Sequence, residues 1–195
     1  MTAWTTPPTL TDADVTLRPM VDADRDAVLA AASDGELWNL FFTNVPGPET
    51  IDRYMAVARD DRGSGRSMPF VVEFDGAVVG ATRFMRMNPQ HRRLEIGTTF
   101  YATSVQRTSV NTTAKRLLLH HAFEVMDAQC VQLRTDRLNH RSRRAIERLG
   151  AQLDGVLRSH VIMTDGRVRD TAVYSITRGD WSGVRANLDL LLGDT

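Results

Sequence analysis

The chain predicts a mixed α/β (α+β) fold, and three observations carry that prediction. Apolar residues alternate with a period of two from Phe70 to Tyr101 and take helical spacing from about Asn111. Two Asp-Gly pairs, Asp75-Gly76 and Asp165-Gly166, lie between extended runs and read as hairpin turns. The order of elements is strand, two helices, three strands, helix, strand, helix, hairpin. It joins an antiparallel meander to a βαβ passage.

Each element follows from local residues. Residues 1–14 are rich in Thr, Pro and Asp and read as an N-terminal tail or edge lead-in. Val15 to Met20 is a short strand stopped by Pro19, and Asp22 opens a helix that Asp34-Gly35 ends near Ser33. Trp38 to Pro48 is a loop with Trp38, Phe41 and Phe42, and a second helix runs from Glu49 to about Arg59. Phe70 to Phe74, Ala77 to Met87 and Arg93 to Tyr101 form the meander. A helix from about Asn111 to Asp127 buries Ala114, Leu118, Ala122, Val125 and Met126. Cys130 to Thr135 is a strand, and Asn139 to Leu149 is a helix closed by Gly150. Gln152 to Met163 and Arg167 to Thr177 pair as a hairpin, and Asp180 to Leu192 is a short amphipathic helix. No repeat or linker divides the chain, so residues 15–195 are expected to be one domain.

Composition narrows the function. Of 195 residues, 24 are Lys or Arg and 24 are Asp or Glu, so the formal net charge is +0. A nucleic-acid coat normally carries a basic excess, so no nucleic-acid partner is expected. No apolar run is long enough to span a bilayer, and Met1 to Asp14 lacks the pattern of a secretory signal, so no membrane partner is expected. A single cysteine, Cys130, excludes an internal disulfide and a Cys-based metal site. These features fit a cytoplasmic protein without a metal. Lys115 is the only lysine.

Two blocks carry chemistry. In Glu95 to Lys115 a strand leads through a polar loop into a helix, which presents N–H groups at the positive end of a helix dipole. Such a loop suits a pyrophosphate. The second block is Asn139 to Gly150, where Arg141, Arg144 and Arg148, with Arg137 just before it, form one helical stripe, open to two readings: a solvated face or contact with phosphates. Ser142 lies on the buried side near the start of that helix, bonded to backbone or facing a site.

Together these blocks resemble the GNAT superfamily of acyl-CoA-dependent N-acyltransferases, over about residues 15–177. Gln106-Arg107-Thr108-Ser109-Val110-Asn111 occupies the place of that family's pyrophosphate loop. Asn139-His140-Arg141-Ser142 followed by Ala145-Ile146-Glu147-Arg148-Leu149-Gly150 resembles a block of the ribosomal-protein N-acetyltransferase (RimJ/RimL-like) branch. Glu95-Ile96-Gly97 resembles the E-I-G of the strand before the loop. Ser109 and Asn111 depart from the usual glycine or alanine and bring a Cβ near the pyrophosphate, but both are small, so the backbone cradle is expected to survive.

The resemblance implies a mostly antiparallel central sheet with a splayed parallel strand pair, flanked by helices. Acetyl-CoA, or another acyl-CoA, would be the co-substrate. Thr99, Phe100 and Tyr101 would run beside the pantetheine, Gln106 to Asn111 would hold the pyrophosphate, and Asn139 would bond the pantetheine arm. Arg107, Arg141 or Arg144 would meet a phosphate. Glu95 would be the general base, unless it is held in a hairpin ion pair, and Ser142 the general acid. Trp38, Phe41 and Phe42, with Asp170 and Tyr174, would line the acceptor pocket, or else pack in the core. The expected acceptor is a primary amine on a protein N-terminus or a small molecule. The rival reading is a catalytically inactive CoA-binding or interaction module. A homodimer is compatible with exposed strand edges.

Overall fold

The computed structural model describes residues 2–193. Eight strands form one sheet in the order β1-β2-β3-β4-β5-β6-β8-β7. They are β1 (Leu10–Asp12), β2 (Val15–Pro19), β3 (Ser67–Phe74), β4 (Ala77–Asn88), β5 (Arg93–Tyr101), β6 (Cys130–Asp136), β7 (Gln152–Ile162) and β8 (Val168–Thr177). Every neighbouring pair is antiparallel except β5 and β6. Five α-helices flank the sheet: α1 (Arg25–Ser33), α2 (Ile51–Gly63), α3 (Val110–His120), α4 (His140–Arg148) and α5 (Trp181–Leu192).

The pleat of β3 shows how the two faces are filled. Successive residues of a strand point to opposite sides of the sheet. Phe70 and Val72 pack in the cluster formed with α3, α4 and α5, whereas Val71 packs with α1 and α2. A strand covered on both sides reads as a continuous apolar run, as this one does. The α3 side holds Leu17, Phe84, Leu118, Leu133 and Tyr174, and the α1–α2 side holds Val28, Ile51, Met55, Ala81 and Phe100.

Three expectations change. The first is the N-terminal tail. Residues 10–12 are the edge strand β1, paired with β2 from Leu10↔Leu17 to Asp12↔Val15. Trp4 is buried in the α3-side core, and its Nε1 donates to the Met126 carbonyl at 2.9 Å. The second is the helix expected to run to Asp127. It leaves α-geometry after His120 and finishes as a π-helical turn over His121–Val125. Val125, expected inside, is exposed as a result. The third is the start of the first helix. Asp22 opens a short 3₁₀ turn there, and Asp24 supplies the carboxylate that accepts the Val21 N–H at 2.8 Å.

The feature that makes room for a site is the divergence of β5 and β6. Their parallel pairing runs from Arg93↔Cys130 to Ile96↔Leu133 and stops there. β5 continues to Tyr101 beside β4, and β6 continues to Asp136 beside β8. The inner edges of both strands therefore open into a wedge between them.

Candidate active site

A cleft of about 850 Å³ occupies this wedge. A bulge shapes its β5 wall. Ala81 pairs with Phe100 and Arg83 with Gly97, so Thr98 and Thr99 together oppose Thr82. Thr98 takes a left-handed backbone (φ 46°) to allow this. A bulge of this kind bends the strand and re-aims its backbone groups. Gly97 stands just before it because a Cβ there would lie 2.6 Å from Met85 Sδ and 3.2 Å from Glu95 Oε1.

One end of the cleft is formed by the loop before α3. Arg107, Thr108 and Asn111 line it, facing Arg141, Arg144 and Arg148 of α4. Asn111 of the first turn of α3 lines this end, where the helix dipole favours an anion, and the Val110 N–H is taken by Thr108 Oγ1 at 3.3 Å. Ser109 is right-handed (φ −68°, ψ −20°), and Asn111 lies within α3. Neither backbone conformation needs glycine. The left-handed residue of the loop is Arg107 (φ 69°).

Two side chains of this loop bond within the protein. Gln106 Nε2 donates to the Tyr101 carbonyl at 2.7 Å, and its Oε1 accepts from Arg141 Nη2 at 2.6 Å. Gln106 thus ties the end of β5 to α4. Thr108 Oγ1 donates to the Val105 carbonyl at 2.7 Å, closing the loop on itself. Val110 is fully buried in the α3-side core, and neither it nor Ser109 is among the residues that line the cleft. Asn139 caps α4, accepting the Ser142 N–H at 3.0 Å. Both Asn139 and Ser142 line the cleft.

The other end of the cleft centres on Glu95, which is 5% exposed. Its Oε2 lies 2.9 Å from Arg86 Nε and 3.2 Å from Arg134 Nε. Alignment is poor, so Oε2 and Arg134 Nε are buried without a hydrogen-bond partner among the described residues. Burial raises the Glu95 carboxyl above its ordinary value, and Arg134, Arg86 and Arg169 pull against that shift. Both open readings of Glu95 meet here: it is ion-paired, and it also faces the cleft.

The expected acceptor-side aromatics separate. Phe42 lines the cleft. Phe41 is 54% exposed outside it, with the Arg167 guanidinium over its ring at 5.1 Å. Trp38 packs beside Gly47 in the α1–α2 cluster. Tyr174, expected to bind substrate, is fully buried on the α4 side, where its hydroxyl donates to Glu147 Oε1 at 2.7 Å. Asp170 is likewise engaged elsewhere, with Arg158 Nε at 2.8 Å.

Lys115 is a site residue that sequence reasoning missed. It lines the cleft from the second turn of α3, 5% exposed, and its Nζ donates to Thr99 Oγ1 at 3.1 Å. Its signal is its spacing, three before Leu118 and four before Leu119 on the buried stripe. Arg86, Arg134 and Arg169 were also missed. Alternation places Arg134 on the face opposite Leu133, but the sequence does not show that Glu95 lies beside it.

The splayed parallel pair and the helix-start loop beside it are features that the resemblance implies, and the bulge at the split is one that the structure adds. The model of the acetyltransferase (GNAT) domain family matches residues 14–152. The chain belongs to the GNAT acetyltransferases. Acetyl-CoA is the acyl donor of this family. A putative ribosomal N-acetyltransferase, YdaF of Bacillus subtilis (strain 168), is 27% identical over 168 residues, covering 83% of this chain and 89% of that protein. A putative acetyltransferase structure from T. thermophilus is 34% identical, with a TM-score of 0.84 over 97% of this GNAT chain and 99% of its own. Mycobacterium smegmatis RimJ, solved with CoA-disulfide, shares the fold at 21% identity and a TM-score of 0.80, covering 98% and 97% of the two chains.

Proposed function

We propose that this GNAT acetyltransferase transfers the acetyl group of acetyl-CoA to a primary amine, on a protein N-terminus or a small molecule, with Glu95 as general base and Ser142 as general acid. The observation that carries the reading is the open, bulged edge of β5 from Gly97 to Tyr101, which faces β6 across the cleft. An unpaired strand edge offers N–H and C=O groups to an extended amide chain, and the pantetheine arm is one. Arg107, Arg141 and Arg144 gather positive charge at the α3 end, suited to the phosphates.

Bound acetyl-CoA supplies an activated acyl thioester. The residues supply proton handling and position. An amine is mostly protonated at neutral pH and must lose a proton before it attacks. Glu95 is poised for that task because burial raises its proton affinity. Arg86 and Arg134 favour its ionised form, so the same surroundings keep it available as a base. Backbone N–H groups near Phe100 would stabilise the oxygen that gains charge. Ser142 would return a proton to the departing sulfur. A thiolate leaves readily by itself, so loss of Ser142 would be partial.

Calorimetric titration with acetyl-CoA, using ATP as the control, tests the cofactor reading. A screen of amines and N-terminal peptides by thiol release then tests catalysis. Saturable acetyl-CoA binding with weaker ATP binding and acceptor-dependent thiol release is the expected result. Binding without release on any amine would support the inactive-module reading instead.

A further inference from the structure

We propose that Lys115 is a self-acylation site, whose Nζ takes the acyl group from the acyl-CoA held in its own cleft. The inference rests on the acyl-CoA site proposed above and adds an acceptor inside the protein. Lys115 has the geometry for it. Its Nζ reaches Thr99 Oγ1 at 3.1 Å, and Thr99 forms part of the bulge on the open β5 edge. Thr99 Oγ1 is itself 2.8 Å from Thr82 Oγ1, so a short hydroxyl chain holds the amine at the split. No carboxylate forms an ion pair with Nζ among the described residues.

The chemistry follows from that setting. Burial without a countercharge lowers the Lys115 amine to about 7. An ordinary lysine, near 10.4, is roughly 0.1% neutral at a pH of about 7.5. The buried amine is mostly neutral there, a gain of several hundredfold in nucleophilic form. Nζ donates its lone pair to the thioester carbonyl carbon. A C–N bond forms, the C–S bond breaks with its electron pair leaving on sulfur, and the proton lost from nitrogen ends on the CoA thiol. The products are an amide and free CoA, with no oxidant or reductant needed. Amide formation removes the cost of burying a charge, and it places an acetyl group beside the β5 edge that the pantetheine would use. The acylated chain would therefore bind acyl-CoA more weakly.

The test uses the whole folded protein and acetyl-CoA. Lys115 is the only lysine, so no other lysine competes for the label. Acetyl-CoA binding is measured by calorimetry, and the same protein is incubated with acetyl-CoA and read by intact mass and peptide mapping. The expected result is one acetyl group on the Lys115 peptide, formed at least a hundredfold faster than on an unstructured peptide of residues 110–120. The rate should rise with pH and level off just above 7. Lys115→Met, checked for folding by circular dichroism, should lose the label. Acetyl-CoA binding with Lys115 unmodified, with label only at the N-terminus, or with no acceleration over the peptide would overturn the inference and leave the function standing. Absence of binding would overturn both.

Discussion

Asn139 Oδ1 accepts the backbone N–H of Ser142 at 3.0 Å, so the residue expected to hold the pantetheine also caps α4. The two roles use different atoms. The carboxamide oxygen serves the helix, and the Nδ2 hydrogens remain for a ligand. Asn139→Ala should lose both, costing about 1 kcal/mol of stability through the cap. Asn139→Asp keeps the capping oxygen, so stability should hold. Its acetyl-CoA affinity should fall by roughly tenfold, the worth of one hydrogen bond. Urea unfolding and calorimetry on the two variants separate the roles. Unchanged affinity in Asn139→Asp would remove Asn139 from the pantetheine site.

Glu95 is the group whose surroundings best match a base. Glu95→Gln keeps the shape and removes the proton acceptor. Turnover should drop by about 10²-fold, with acetyl-CoA affinity within about twofold of the parent. The pH profile carries the sign. A base works when deprotonated, and its proton affinity is raised here, so activity should fall as pH drops through a value above the ordinary glutamate range. Steady-state kinetics of both proteins across pH would show this limb in the parent. A Glu95→Gln enzyme with full turnover would assign the proton transfer to another group.

Lys115 should make the fold sensitive to alkaline pH in an uncommon direction. Its amine is depressed to about 7 in the folded chain and returns to its ordinary value when unfolded. Between those values the unfolded chain binds more protons, so stability rises with pH. The gain should be about 2 kcal/mol from roughly pH 7 to pH 9. Lys115→Met removes the titrating group and should flatten that contribution. Urea midpoints for both proteins at the two pH values make the comparison. An equal slope in Lys115→Met would mean that the amine is solvated in the folded state.

The meander and the βαβ passage are legible in the sequence because alternation and turn chemistry are local. The wedge is legible only through family resemblance, since no local signal in the sequence marks the end of β5–β6 pairing at Ile96↔Leu133 or the bulge that follows at Thr98. Alternation puts Asp170 and Tyr174 on one face correctly, but the packing of α4 decides which face, and Tyr174 is sealed beneath that helix. Lys115 is hidden by the expectation that lysine seeks water. Residues 1–14 read as a tail because their Thr, Pro and Asp content masks two anchors, Trp4 and Leu10.

The anchoring of that N-terminal segment is itself testable. Trp4 fills the α3-side core and bonds to Met126, just after the π-helical turn that ends α3. Arg116 of α3 pairs with Asp12 of β1 and, at 3.1 Å, with Asp189 of α5. The segment therefore braces the helix whose first turn faces the cleft. Trp4→Ala should cost about 3 kcal/mol, combining a lost aromatic side chain with an unpaired Met126 carbonyl. Trp4→Phe keeps most of the packing and should cost about 1 kcal/mol through the hydrogen bond. Urea unfolding of both variants reads these losses, and calorimetry with acetyl-CoA reads the effect on α3. A Trp4→Ala protein as stable as the parent would return the segment to the status of a dispensable tail. The expected order, with Trp4→Phe between the parent and Trp4→Ala, would make it part of the folding unit.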